Sequence, residues 1–224
     1  RAQTMKNLLI LLSLVFYLPI LNSHTLEKAI NSNERETKNI LRDSYRNPYE
    51  TLSFFEIKSD MKIVELSPGG GWYTEILANY IDEPGLLIAA HFDKDTNIPY
   101  FKRGRAAFEK KINTNPIYKN VEIVDLSSEL AKEGSIDAVL TFRNLHNWLG
   151  PQMDNIFSNA YKALKPGGIF GVVEHRANPG TSMEKMKKSG YVTEEHAIEI
   201  AEKHGFILVS KSEINANPKD TKDY

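Results

Sequence analysis

From Lys62 onward, short apolar runs alternate with stretches in which apolar residues recur every three or four positions. That alternation restricts the architecture, because parallel strands joined in sequence need a crossover segment, usually a helix, between them. Strands are predicted at 62–66, 86–91, 121–125, 136–142, 168–174 and 206–213. Between the first two, Tyr73, Ile76, Leu77, Tyr80 and Ile81 fall at helical spacing, and Met153, Ile156, Phe157, Ala160, Tyr161 and Leu164 do so between the fourth and fifth. Both stripes read as core faces. A helix over 99–111 is weakened by Gly104, whereas Thr193 is placed to cap a later helix that Gly205 closes. The pattern is that of an α/β chain with a parallel sheet covered on both faces.

With 224 residues, 41% apolar and 25% charged, the chain has the material for one ordinary core. Its formal net charge of -1 and scattered basic residues leave no stripe for a nucleic-acid backbone or an anionic membrane, so a small-molecule partner is expected. The absence of cysteine removes disulfides, thiolate nucleophiles and cysteine-held metals. At the N-terminus, Arg1 and Lys6 precede an apolar run from Leu8 to Leu21, shorter than the about 20 residues of a spanning helix. Residues 1–23 therefore read as a secretory signal peptide, with an uncleaved anchor as the rival, and predict an exported, periplasmic protein; without a working signal it would be cytoplasmic. Residues 24–60 read as a loosely packed helical arm, in which Asn47 can cap a short helix begun by Pro48, and residues 61–224 as the α/β domain.

Two segments suggest ligand binding. The run V-E-L-S-P-G-G-G-W-Y-T (Val64 to Thr74) puts three glycines between a strand and a helix, where backbone N–H groups can face a ligand. Thr74 stands where the third glycine of a dinucleotide fingerprint would be, which disfavours a nicotinamide site. The second segment is F-R-N-L-H-N-W (Phe142 to Trp148), polar and aromatic at the exit of the fourth predicted strand, where open α/β sheets hold their ligands.

Together with L-K-P-G-G-I-F-G-V-V-E (Leu164 to Glu174) and the strand S-I-D-A-V-L-T-F (Ser135 to Phe142), this order resembles the class I S-adenosylmethionine-dependent methyltransferases over about residues 60 to 214. The stretches Y-R-N-P-Y-E-T-L-S-F-F, P-G-G-G-W-Y-T-E-I-L and R-N-L-H-N-W resemble, more narrowly, a bacterial family of exported predicted methyltransferases. The resemblance implies a Rossmann-like three-layer sandwich with a mostly parallel sheet, S-adenosyl-L-methionine as cofactor and a small methyl acceptor. Such enzymes usually finish with an antiparallel hairpin; only N-A-N-P-K-D-T-K-D-Y follows the strand predicted at the end, so the last antiparallel strand is expected to be missing.

Carried over by position, the resemblance assigns the cofactor to Glu65, Ser67, Gly69, Gly70 and Gly71, with Ser67 in place of the usual first glycine. It places the ribose near His91 or Asp93, the adenine at Asp125 and Leu126, and lets Arg143 reach the cofactor carboxylate. His146 is the candidate general base, since its ordinary pKa suits proton removal near neutrality, and Asn144 the group that orients the acceptor. Asn147, Trp148, His175 and Arg176 would line the acceptor side, beside Glu174. A metal held by His146, His175 and Glu174 is disfavoured because no pair shows helical ligand spacing. Ala177 to Tyr191 reads as a surface loop or lid. Two other functions compete with the methyltransferase: a non-catalytic nucleoside-binding or interaction module on the same fold, and an NAD(P)-dependent oxidoreductase, which lacks a Tyr-x-x-x-Lys pair in a suitable place.

Overall fold

A computed structural model describes residues 25–222; the segment read as a signal peptide lies outside the described residues. Five strands, β1 (Lys62–Leu66), β2 (Leu86–His91), β3 (Val121–Asp125), β4 (Ile136–Phe142) and β5 (Leu164–Val173), form one sheet in the order β3-β2-β1-β4-β5. Every pairing is parallel. The first four match the predicted spans because each is a short apolar run ended by turn residues. β5 pairs regularly only from Ile169: Leu164 opposes Ile136, Ile169 opposes Ala138, and the Lys165–Gly168 stretch loops out between them.

Alternation along the strands divides the core. Val64, Leu66, Ile88, Ala90 and Val139 join Leu145 and Trp148 of α6 (Leu145–Trp148), Met153, Ile156, Phe157 and Ala160 of α7 (Pro151–Ala163) and Ile200 of α9 (Glu194–Lys203). Ile63, Leu87, Ala138 and Leu140 face Trp72, Tyr73, Ile76 and Leu77 of α4 (Trp72–Tyr80), together with Leu52 and Phe55. The outer part of that second layer is α5 (Pro99–Thr114), whose Phe108 and Ile112 pack with Ala89 and Tyr118. α5 runs unbroken through Gly104, where a Cβ would stand 3.2 Å from the Phe92 ring; glycine there admits the ring and does not interrupt the helix. Gly171 has a similar role, since a Cβ would meet Leu140 at 2.7 Å and the Phe55 ring at 3.0 Å.

Four expectations are corrected. The arm is not loose. Its helices α1 (Leu26–Ile30), α2 (Thr37–Ile40) and α3 (Pro48–Phe54) dock beside α4 both by apolar packing, with Leu26, Leu52 and Phe55 in one cluster with Trp72, Tyr73, Ile76 and Leu77, and by buried polar contacts. The buried Glu75 carboxylate accepts from the Glu36 amide and the Asn39 side chain, both at 2.6 Å, and the Trp72 indole N–H donates to the Asn39 carbonyl. Arg35 forks onto Asp43 from a buried position. Asn47 takes a left-handed conformation and makes no side-chain cap; its amide donates to the Ile214 carbonyl at 2.9 Å instead.

The stretch after Ala177 is not a plain loop: Ser182 caps α8 (Met183–Ser189), and Met186 is buried. The strand predicted at 206–213 does not form. Phe206 packs on Phe157, Tyr161 and Phe170, but the apolar residues after it face solvent, with Ile207 84% and Val209 92% exposed, because a strand exists only with a ladder partner and β5 pairs β4 alone. The segment is fastened by side chains instead: Arg176 holds Glu213, Lys211 holds Glu194, and the Asn215 amide donates to the Thr51 hydroxyl. Among the described residues no helix is long and apolar enough to cross a membrane.

Candidate functional site

Brought together at the carboxyl ends of β1 and β4 are the glycine turn and the F-R-N-L-H-N-W segment. Between them the strand order reverses, which is where open α/β sheets leave a crevice. Ser67 and Arg143, the residues that follow β1 and β4, both adopt left-handed conformations, at φ 50° and 64°. Such backbone is uncommon for side chains other than glycine, and it turns both exits sharply toward the crevice. Gly69 and Gly70 are exposed, and a Cβ on either would meet nothing within 4 Å, so the turn offers bare backbone to a ligand. Gly71 closes the turn beneath, with Phe108 3.2 Å from where a Cβ would lie. The Ser67 hydroxyl is buried without a hydrogen-bond partner among the described residues.

Below this shelf, Glu65 is 2% exposed, and its carboxylate accepts from the Thr74 hydroxyl at 2.6 Å. Burial pushes its pKa up to about 7, opposed by that hydrogen bond and by the charge of Lys111. Lys111 donates to the Gly70 carbonyl and pairs with Glu36, linking α5, the turn and the arm.

Several residues assigned to ligands from the sequence are used to build the site. His91 lies beneath the turn, 1% exposed, with Nε2 3.1 Å from the Gly69 carbonyl and Nδ1 accepting from the Phe92 amide. Those bonds imply the neutral Nε2–H form, in keeping with a pKa lowered by burial, and leave no ring nitrogen for a ribose. Asn144 is likewise committed. Its amide lies 3.2–3.3 Å from the Leu66, Ser67 and Phe142 carbonyls and the Thr141 hydroxyl, stapling β4 to the end of β1. Trp148 is 3% exposed in the core under α6 and cannot stack on an acceptor. Arg176 is taken up by Glu194 and Glu213.

Asp93 and Asp125 clasp the exits of β2 and β3 reciprocally: Asp93 accepts from the Ser127 amide at 3.0 Å and Asp125 from the Lys94 amide at 3.1 Å. Asp125 also pairs with Arg105 at 2.7 Å through the same oxygen, Oδ1. Among the described residues each carboxylate makes these bonds through Oδ1 alone, so the clasp retains acceptors for a ribose or an adenine amino group. Leu126, on the same exit, is buried.

On the β4–β5 side, His146 faces Glu174 with Nδ1 3.1 Å from Oε1, and Glu174 also accepts from the His146 and His175 amides at 3.3 and 2.7 Å. A carboxylate that accepts the Nδ1–H hydrogen bond leaves Nε2 as the acceptor, the arrangement a general base requires. Glu174 was placed from the sequence on the acceptor side and weighed with His146 and His175 as a metal set, not as the orienting partner of a base; its pairing with His146, 28 residues away, depends on the parallel register of β4 and β5. The His175 ring lies 6.2 Å from that of His146, half-buried, with its pKa lowered chiefly by burial. Asn147 is exposed beside them. Among the described residues no three histidine, aspartate or glutamate side chains converge as metal ligands do.

A narrow cleft opens at the exits of β4 and β5, lined by Arg46, Tyr73, Phe142, Arg143, Val173 and Asn215.

Residues 64–172 match the sequence profile of a methyltransferase domain. Comparison with curated proteins finds no match. Among solved structures, the chain is similar to an S-adenosylmethionine-dependent methyltransferase from Aquifex aeolicus, at 17% identity and a TM-score of 0.58, over 81% of this chain and 88% of that one. It also resembles a phosphoethanolamine N-methyltransferase from Haemonchus contortus, solved with phosphomonomethylethanolamine and S-adenosylhomocysteine, at 16% identity and a TM-score of 0.53 over 82% of this chain and 45% of that one. The [4+2]-cyclase SpnF follows at 17% identity and a TM-score of 0.55, over 72% and 56%. The chain thus spans most of the first of these proteins and about half the length of the other two. In sequence over residues 64–172 it is similar to methyltransferase domains, and in architecture it has the Rossmann-like α/β fold of the S-adenosylmethionine-dependent methyltransferases.

Proposed function

We propose that the chain is an S-adenosylmethionine-dependent methyltransferase acting on a small-molecule acceptor at the ends of β4 and β5. The observation that carries this reading is the His146–Glu174 pair, held one strand away from an exposed glycine shelf. Bound on that shelf, the cofactor supplies a methyl group on a positively charged sulfur. The chain supplies position and a proton acceptor. Gly69 and Gly70 leave room for close backbone approach, and Asp93 and Asp125 offer their spare oxygens to the nucleoside. Asn144 fixes the distance between the shelf and β4. His146 Nε2 would receive the acceptor's proton as the acceptor's lone pair bonds to the methyl carbon and the methyl–sulfur bonding pair stays with sulfur, while Glu174 would stabilise the charged ring.

Titration calorimetry of the full chain with S-adenosylmethionine, S-adenosylhomocysteine and NAD tests the first half of the reading. Binding of the two sulfur nucleosides and none of NAD is expected, and silence with both would overturn it. For the second half, release of S-adenosylhomocysteine is followed against panels of phenols, amines and carboxylic acids. His146→Ala should slow turnover by about 10²–10³ and leave nucleoside affinity unchanged. A non-catalytic nucleoside-binding module is the second reading, favoured by Trp148 and Asn144 being consumed by the fold; it predicts nucleoside binding without turnover on any panel. The basic and apolar pattern of residues 1–23 supports export, tested by fusing residues 1–30 to a reporter active only outside the cytoplasm.

A further inference from the structure

Among the described residues three arginines pair with carboxylates: Arg35 with Asp43, Arg105 with Glu109 and Asp125, and Arg176 with Glu194 and Glu213. Arg46 and Arg143, which line one cleft at the exits of β4 and β5, have no such partner among the described residues. The Arg46 guanidinium lies over the Trp72 ring, 4.7 Å from its centroid, and its Nε is buried with no hydrogen-bond partner. Arg143 reaches only the Tyr45 carbonyl, at 3.4 Å, and is presented from a left-handed backbone. The walls are apolar: Tyr73 stacks on Phe142 at 3.5 Å and 13°, with Val173 beside them.

Two partly buried like charges beside aromatic walls are unfavourable without an anion between them. Burial and the neighbouring charges of Arg143 and Arg42 push Arg46 down to about 10, so both guanidinium groups remain charged at neutral pH. The nearest carboxylates are occupied, Asp43 by Arg35 and Glu174 by His146. An arrangement that destabilises the free protein and matches a forked oxyanion is characteristic of a binding site.

We propose that Arg46 and Arg143 form an anion subsite that receives a carboxylate or phosphate group of the methyl acceptor. The proposal rests on the methyltransferase reading and narrows its substrate to small anionic molecules. Val173 and Asn215 put the cleft on the β5 side of the glycine shelf. Arg143 lies near enough to Glu174 and His175 for their charges to act on one another, so an oxyanion gripped here leaves the rest of its molecule within reach of the His146–Glu174 pair. The cleft is too narrow to bury a whole metabolite, which limits its occupant to a headgroup at the mouth.

The donor's own amino-acid carboxylate has the same chemistry, and the test separates the two sources. Full-chain protein, with and without S-adenosylhomocysteine, is titrated with phenyl phosphate, benzoate and neutral benzyl alcohol. The anions should bind and the alcohol should not. Arg46→Met, which keeps the stem over Trp72, and Arg143→Asn, which tolerates the left-handed backbone, should each weaken the anions about tenfold. Affinity for S-adenosylhomocysteine should stay within about twofold, and the Tm of Arg46→Met should not fall. Failure of both anions to bind the unaltered protein, or equal binding of the alcohol, overturns the proposal. So does an Arg46→Met variant that loses S-adenosylhomocysteine but keeps 5′-methylthioadenosine, which would assign the pair to the donor. Anion binding without any nucleoside binding would instead sink the methyltransferase reading and leave the subsite standing.

Discussion

Glu65 is a carboxyl group whose folded-state pKa is raised to about 7 by complete burial, against an ordinary value of 4.5. Between those two values the folded protein keeps a proton that the unfolded chain has released, so stability declines as pH rises through the window and levels off above it. Glu65→Gln keeps an acceptor for the Thr74 hydroxyl and removes the titration. The variant should match the parent near pH 4 and exceed it by on the order of 3 kcal/mol at pH 8, measured by chemical denaturation at each pH. Position in the sequence showed that Glu65, His91, Asn144 and Trp148 stand at strand exits; it did not show which way each side chain turns. His91 points under the glycine turn, Asn144 back across β1, and Trp148 into the core. His146 has a different outcome, since its polar partner Glu174 was visible in the sequence but their contact depends on strand register.

The same contrast separates the elements that periodicity revealed from those it did not. The first four strands were legible because each is a short, mainly apolar run bounded by turn residues, most continuous in β2 and β4, where both faces are buried. The arm was misjudged because its docking combines a few widely spaced apolar anchors, Leu26, Leu52 and Phe55, with hydrogen bonds, and neither leaves a regular apolar period. Its main fastening is the Glu75 carboxylate, fully buried and receiving two donors at 2.6 Å. Glu75→Gln replaces one accepting oxygen by a donor that faces another donor. It should cost about 2–4 kcal/mol, and limited proteolysis should then cut between residues 31 and 47 well before the sheet is lost. Phe206 to Ser212 shows the converse error, a sound strand pattern with no strand, since a run of apolar residues specifies an extended segment and its partner must come from elsewhere.

For the molecule as a whole, β5 is an edge strand with no partner on its outer side among the described residues, and Ile207 and Val209 stand in solvent. An open edge and a free apolar segment on one molecule invite association between copies. Sedimentation velocity at rising concentration should show reversible self-association of residues 25–222, and the double variant Ile207→Lys, Val209→Lys should reduce it without lowering Tm. The order of the strands also imposes an order in time. β1 lies between β2 and β4, and the contact between Lys62 and Asp137 at that seam joins residues 75 positions apart. A ribosome therefore lays down the glycine shelf long before it delivers the strands bearing His146 and Glu174. Until β4 docks, a nascent chain holds half of a crevice. No ligand that must touch both halves can help the first half to fold, so the chain reaches its sheet unaided and acquires its binding site only when the most distant pairing closes.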